Sequence, residues 1–150
     1  MVFRTQQTRW GKKRKTSPTF TPDPTFHGPS EEDEQVAVFD WLKWLQHPAK
    51  DYAFAIPNQV GGRPSKTTLR ARARIGVKKG VPDLMLAYPC NGWAGLFIEL
   101  KVGNGKASPE QLEWLARLKA VGYYTALCYG SKEAISLIIA YLGISDYVRR

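Results

Sequence analysis

The stretch GVPDLMLAYPCNGWAGLFIELKVG, residues 80–103, contains two apolar segments separated by a turn-forming sequence. The segments PDLMLAY and AGLFIELK have the composition of β-strands, and PCNG between them is typical of a turn. The stretch therefore predicts a β-hairpin. Its strands nevertheless carry Asp83 at the start and Glu99 and Lys101 at the end, and charged side chains are rare in buried strands. Their position needs an explanation.

Helices are predicted on both sides of the hairpin. Ser30 followed by EEDEQVAVFDWLKWLQ predicts a first helix over about residues 31–46, because its acids complement the helix dipole and its apolar residues recur at helical spacing. The segment SPEQLEWLARLKAVG predicts another helix, with Ser108 as its N-cap. The segment SKEAISLIIAYLG predicts a last helix that Ser131 caps and Gly143 ends.

Two further strands and a short helix complete the pattern. DYAFAI and YYTALCY predict strands, and TTLRARAR favours a short helix. The main elements then follow in the order helix, strand, strand, strand, helix, strand, helix. A hairpin that leads into a helical crossover implies antiparallel and parallel pairs in one sheet. The predicted fold class is therefore α/β, with a mixed four-stranded sheet flanked by helices.

The chain length of 150 residues fits one domain and a tail. Residues 1–29 have too few apolar positions to offset the entropy of ordering the chain, which predicts a disordered or partner-ordered arm before a folded domain over residues 30–150. No apolar run has the length of a membrane span, and no secretory leader is recognisable. We expect a cytoplasmic protein, in a bacterial or phage-infected cell, with no membrane partner and with reduced cysteines.

The balance of charge favours a polyanionic partner. The chain has 22 Lys and Arg against 13 Asp and Glu, a net charge of +9. Much of the excess lies in residues 1–29 and in residues 63–79, and the second block contains no acidic residue. Neither block has large apolar residues at helical spacing, so nucleic acid is favoured over a membrane surface. A basic, solubilising surface remains the simpler alternative.

The charged residues of the hairpin predict a site for chemistry. Residues two apart in a strand face the same side, so Glu99 and Lys101 project together, and hairpin pairing brings Asp83 beside Glu99. Two neighbouring carboxylates favour a hard divalent cation, and Lys101 could orient water or stabilise charge on a phosphate. Such a set suits metal-assisted hydrolysis of a phosphodiester. The alternative is a structural cluster of ion pairs at the strand end.

Pro82-Asp83 followed by Glu99-Leu100-Lys101 resembles the signature of PD-(D/E)XK nucleases. The longer pattern of GVPDLML, GLFIELKVGNGKASPEQ, WLARLKAVGY and EAISLIIAYL resembles the VRR-NUC branch of that superfamily, over about residues 31–142. The resemblance implies a restriction-endonuclease-like core. It also implies that Asp83, Glu99 and the Leu100 carbonyl bind Mg²⁺ or Mn²⁺, and that Lys101 is the catalytic lysine.

Two further residues enter the predicted catalytic set. Related nucleases carry a glutamate on the first helix, and we prefer Glu34 to its acidic neighbours because it lies in line with Val38 and the other apolar residues that should face the sheet. Gln111 resembles a family glutamine that points toward the site. It could instead form a capping box with Ser108, and both interpretations stay open.

Several residues are candidates for binding nucleic acid, mainly through phosphates. They are Arg63, Lys66, Arg70, Arg72, Arg74, Lys78, Lys79 and, in the loop after the first strand, Asn58. We assign the tryptophans of the helices, Trp41, Trp44 and Trp114, to the core rather than to base stacking.

The combined prediction is a Mg²⁺- or Mn²⁺-dependent DNA endonuclease. The resemblance implies action on branched or otherwise structured DNA in repair, recombination or phage DNA processing, and a homodimer is plausible for so small a domain. The alternatives are a catalytically inactive nucleic-acid-binding module with a nuclease fold, and a ribonuclease.

Overall fold

The computed structural model describes residues 28–57 and 65–144. The predicted helices and strands all occur in it, together with a 3-10 helix that was not predicted. In chain order they are α1 (Glu31–Trp44), the 3-10 helix (Pro48–Tyr52), β1 (Ala53–Ala55), α2 (Lys66–Arg74), β2 (Leu84–Leu86), β3 (Leu96–Lys101), α3 (Pro109–Ala120), β4 (Tyr124–Tyr129) and α4 (Ser131–Leu142). Most of the predicted arm, and the candidate contacts Asn58 and Arg63, lie outside the described residues.

The four strands form one mixed sheet in the order β1-β2-β3-β4. The pairs β1–β2 and β2–β3 are antiparallel, and β3 and β4 are parallel, joined by α3 as the crossover. The hairpin turn contains Asn91 with a positive φ of 51°, a conformation that asparagine tolerates better than most residues. The predicted α/β class and mixed four-stranded sheet are confirmed.

The core lies on the face of the sheet that α1 and α4 cover. Leu96, Ile98 and Leu100 of β3 are buried there, with Val38 of α1 and Ile138 of α4 packed in the same cluster. Helix α3 contacts β3 and β4, and its Gln111 reaches the alternate residues of β3 on the opposite face. All six residues of β3 are buried, including its two charged ones.

The helix ends show which local predictions hold. Ser30 caps α1 in a capping box with Asp33, and Gly143 ends α4 with a φ of 66°. Ser131 is the first residue of α4 rather than its cap, because Gly130 occupies the cap position and makes no side-chain hydrogen bond.

Trp44 is 82% exposed, so its assignment to the core is wrong. It lies two residues after buried Leu42, which places it on the opposite side of α1.

Within the described residues, no helix is long and apolar enough to cross a membrane.

We expect the α1–α4 layer to dominate stability. Replacement of Ile138, which is fully buried, by alanine should lower the free energy of unfolding by about 2–5 kcal/mol because it leaves a cavity. The matched control is Ile75→Ala at a position that is 79% exposed, where a change within about 0.5 kcal/mol is expected. Urea unfolding measures both, and equal losses would contradict this account of the core.

Candidate active site

Asp83 and Glu99 face each other across the hairpin. Leu84 pairs with Ile98 in the antiparallel register, so Asp83, one residue earlier, comes level with Glu99, one residue later. Two hydrogen bonds fix Asp83: its Oδ2 accepts from the Leu100 N–H at 2.9 Å, and its carbonyl accepts from the Ile56 N–H at 2.8 Å. The register thus brings two carboxyl groups together at one end of the sheet.

The Lys101 ammonium group donates hydrogen bonds to three oxygen atoms. Its Nζ lies 2.7 Å from Glu99 Oε1, 2.8 Å from the Leu100 carbonyl and 3.1 Å from Glu31 Oε1. The Lys101 side chain is 7% exposed and that of Glu99 is 0% exposed, so the pair is shielded from water. A buried charge is tolerated only when it is paired and hydrogen-bonded, which is the case for Lys101.

Gln111 performs both of the roles that the sequence left open. Its Oε1 accepts from the Ser108 N–H at 2.7 Å, while the Ser108 hydroxyl accepts from the Gln111 N–H at 3.3 Å, which completes a capping box. The other end of the same amide, Nε2, donates to Glu99 Oε1. The cap of α3 therefore also orients the buried carboxylate.

The site shifts the titration of its members. Burial raises the pKa of Glu99 to about 7, against the opposing effect of the hydrogen bond from Lys101. Burial also raises the pKa of Asp83, although the Leu100 N–H and Lys101 favour its ionised form. For Lys101, burial would lower the pKa, but the hydrogen bonds to Glu99 and Glu31 outweigh it and raise the pKa. Perturbation of this kind is concentrated at functional sites.

The donor set fits a divalent cation with oxygen ligands. Glu99 Oε2 is buried and has no hydrogen-bond partner among the described residues, so the site contains a buried carboxyl oxygen that could accept a ligand. Asp83 and the Leu100 carbonyl lie beside it. Within residues 28–57 and 65–144 there is no group of three or more His, Cys, Asp or Glu side chains that could hold a metal. Two carboxylates and one carbonyl would leave the remaining positions of a Mg²⁺ shell to water and substrate oxygens.

The comparisons with known proteins agree with this geometry. The model of the VRR-NUC domain matches residues 30–132. The chain belongs to the VRR-NUC family. A solved structure with the name "VRR_NUC domain protein" is 31% identical in sequence, with a TM-score of 0.67 over 79% of this chain and 93% of that one. No curated protein matches the chain. Membership in the VRR-NUC family implies a nuclease-type function within the PD-(D/E)XK superfamily, and the mixed sheet is consistent with the restriction-endonuclease-like fold.

Glu34, the glutamate preferred on the first helix of this VRR-NUC domain, forms no hydrogen bond or ion pair with Asp83, Glu99 or Lys101 among the described residues. Glu34 Oε2 accepts from the Ser131 N–H at 2.6 Å, so it supplies the cap that α4 lacks in its own sequence. Helix α1 packs mainly against α4, and Glu34 lies at the beginning of α4. Glu31, one turn earlier, is the α1 residue that contacts Lys101. A metal-ligand role for Glu34 therefore stays a prediction, and its described hydrogen bond is to Ser131.

The basic block divides into free and engaged side chains. Lys79 forms an ion pair with Glu110, and its hydrogen bond lowers the pKa of that carboxyl to about 2. The Trp114 indole N–H donates to the Lys79 carbonyl at 2.9 Å, which ties this loop to α3. The other candidates form no ion pair with the described residues, and all are exposed except half-buried Arg72; they are Lys66, Arg70, Arg72, Arg74 and Lys78.

Two members of the site were missed at the level of sequence. Helical periodicity favours Glu34 among the four acids of α1, and no signal in the sequence indicates that Glu31 contacts Lys101. Trp114 is predicted to lie in the core, but it is half-buried, and its indole N–H holds the loop ahead of Asp83. The spacing of Glu110 and Trp114, one helical turn apart on α3, could have indicated a shared partner.

We expect Glu34 to stabilise the α1–α4 contact in a pH-dependent way. Hydrogen bonds from Ser131 lower the pKa of Glu34, so its stabilising effect is present at neutral pH and is lost as the pH falls through its folded-state pKa. Glu34→Ala should cost about 1 kcal/mol at pH 7, as loss of a cap does, and the difference from wild type should shrink below about pH 4.

Glu32→Ala is the matched control, because Glu32 is exposed on the same turn. Chemical unfolding between pH 3 and pH 8 gives the comparison. A loss for Glu34→Ala that does not depend on pH would contradict the assignment of Glu34 as a charged cap.

Proposed function

We propose that this VRR-NUC domain is a Mg²⁺- or Mn²⁺-dependent endonuclease that hydrolyses DNA phosphodiester bonds. The observation that carries the proposal is the buried oxygen of Glu99 that has no partner within residues 28–57 and 65–144, opposite Asp83 and beside Lys101 at the end of one hairpin. A cluster that served only to stabilise the fold would be expected to satisfy every buried acceptor.

In this proposal Asp83, Glu99 and the Leu100 carbonyl hold the cation. When bound, the cation would polarise the phosphoryl group and lower the pKa of the attacking water. Lys101 moves a proton at its Nζ or stabilises charge on a phosphate oxygen, and its burial keeps that nitrogen in a fixed place. Gln111 holds Glu99 in one orientation through its amide.

The basic residues support DNA as the partner. Helix α2 has no buried residue, and it presents several arginines and Lys66 to solvent. Charges of this kind bind phosphates without reading the sequence. We propose structured or branched DNA as the substrate, a homodimer as the working form, and a role in repair, recombination or phage DNA processing in the cytoplasm of a bacterial or phage-infected cell.

Metal-dependent cleavage tests the proposal. Wild type should cut at least one of linear duplex, flap, four-way junction or single-stranded DNA with Mg²⁺ or Mn²⁺, and should be inactive in EDTA. Lys101→Ala should reduce the rate about 10²–10⁴-fold, the range for loss of a proton-transfer group. Lys106→Ala is the matched control, because Lys106 is exposed and forms no ion pair with the described residues.

Each alternative has its own outcome in this assay. Binding without cleavage of any substrate would overturn the enzyme proposal in favour of an inactive binding module. Cleavage of RNA strands alone would favour a ribonuclease. Full activity in a folded Lys101→Ala variant would contradict the position assigned to the catalytic site, and Lys101→Gln, which keeps more of the side-chain volume, guards against a variant that fails to fold.

The salt dependence of binding should separate two neighbouring lysines. Lys78→Ala should reduce the slope of log K against log salt by about 0.9, the value for one lost phosphate contact on B-DNA. Lys79→Ala should change it less, because Glu110 already neutralises Lys79. Fluorescence polarisation with a labelled duplex in EDTA measures both slopes. Equal changes for the two variants would show that Lys79 leaves Glu110 for the nucleic acid.

A further inference from the structure

Tyr129, the last residue of β4, occupies the same row of the sheet as the catalytic lysine. The parallel register pairs Tyr129 with Lys101, and paired residues of adjacent strands face the same side. Their backbones are joined where the row ends, because the Gly130 N–H donates to the Lys101 carbonyl at 2.9 Å. One strand spacing of about 4.8 Å therefore separates Tyr129 from the strand that carries Glu99 and Lys101.

Tyr129 differs from the other tyrosines in the described part of the chain. Each of the others packs its ring against another aromatic ring: Tyr52, Tyr88, Tyr123, Tyr124 and Tyr141. Tyr129 has no such contact with the described residues, and it is 46% exposed. Its backbone is nevertheless fixed, since its N–H donates to Glu133 Oε2 at 2.8 Å. Tyr129 therefore combines a fixed backbone with an exposed aromatic ring, which is suited to contact a ligand.

A groove of about 410 Å³ lies beside this residue, a volume typical of small-molecule sites. Three glycines, which present no side chain, line much of it; the lining residues are Gly28, Pro29, Glu34, Val102, Gly103, Tyr129 and Gly130. Among the described residues, the lining contains a carboxylate and no basic residue. A phosphate would be repelled here, whereas the amino group of a nucleobase would find an acceptor in Glu34.

We propose that Tyr129 and this groove receive a nucleobase that has left the helical stack next to the cleaved phosphate. The inference rests on the proposed nuclease function and identifies its substrate class as DNA with an unpaired or easily unpaired nucleotide at the cleavage position. The nucleoside attached to a phosphate at Lys101 lies within reach of Tyr129, and its base stacks on the exposed ring. Unstacking costs least at unpaired positions, so this contact favours flaps, junctions and single strands over intact duplex.

Binding of single strands with and without bases tests the inference. The full-length protein is titrated in EDTA into a labelled 12-mer of deoxycytidine and into a 12-mer of the same backbone with abasic sites. Wild type should bind the cytidine strand about tenfold more tightly, which is in the range for stacking of one base. Tyr129→Ala should lose most of this difference, and Tyr129→Phe should keep it because the ring remains.

Two further variants guard the interpretation. Tyr129→Leu keeps apolar bulk without an aromatic face and should behave like Tyr129→Ala, provided that its thermal unfolding matches wild type. Trp44→Ala removes an aromatic side chain that is 82% exposed at the far end of α1 and should leave the preference for bases intact.

The outcomes for the inference and for the proposed function are distinguishable. Equal affinity of wild type for the two strands, no binding of either, or an undiminished preference in Tyr129→Ala would overturn the inference, whether or not DNA is cleaved. A preference that depends on the Tyr129 ring, in a protein that cuts no substrate, would support the base site and overturn the nuclease.

Discussion

The burial of an ion pair inside β3 is the constraint on which the rest of this structure depends. Glu99 and Lys101 lie in a strand whose six residues are all buried. Removing two charges from water costs several kcal/mol for each ion, and their mutual attraction offsets this only with good geometry and further hydrogen bonds. The neighbouring elements must therefore supply those hydrogen bonds. They do so through residues in the first turns of helices.

Two helices provide the partners: the first turn of α3 provides the Gln111 amide for Glu99, and the beginning of α1 provides Glu31 for Lys101. Asp83, in the segment before β2, accepts from the Leu100 N–H and adds a second carboxyl group beside the pair. The chain reaches these points from widely separated parts of the sequence. One Glu99 oxygen still lacks a partner among the described residues, and this incomplete satisfaction distinguishes the cluster from an ordinary salt-bridge network.

The parts of the fold that were predictable from sequence are those with local signals. The hairpin, the α3 cap and the glycine that ends α4 follow from turn chemistry, capping residues and a positive φ, and all of them occur as predicted. The pairing of Asp83 with Glu99 followed because an antiparallel register fixes which residues face each other. The nuclease signature then gave these residues a chemical meaning that pairing alone does not provide.

What the sequence did not predict depends on how helices pack. The choice between Glu31 and Glu34 turns on the position of α4 relative to α1, and a difference of one turn moves a carboxylate from the lysine to a helix cap. Helical periodicity correctly placed Glu34 on the inward face but could not tell what that face would meet. For Gln111 the sequence left open whether it caps α3 or points toward the site. The structure shows both, because the amide oxygen accepts from the Ser108 N–H while the amide nitrogen donates to Glu99.

The candidate site is buried, whereas the basic helix α2 is exposed. The two parts of the domain therefore differ in how freely their residues can be substituted. Asp83, Glu99 and Lys101 are held by the sheet and by helix ends, so a small shift in packing would disturb them. Helix α2 buries no residue, so its arginines can change without a cost to the core. Lys79 lies at the boundary, since Glu110 and Trp114 of α3 hold it beside the segment that leads to Asp83. Substitutions in α2 can therefore change the affinity for phosphates while the geometry of the site is preserved. Substitution of Lys79 would affect both, because its ion pair with Glu110 links the basic block to the segment that leads to Asp83.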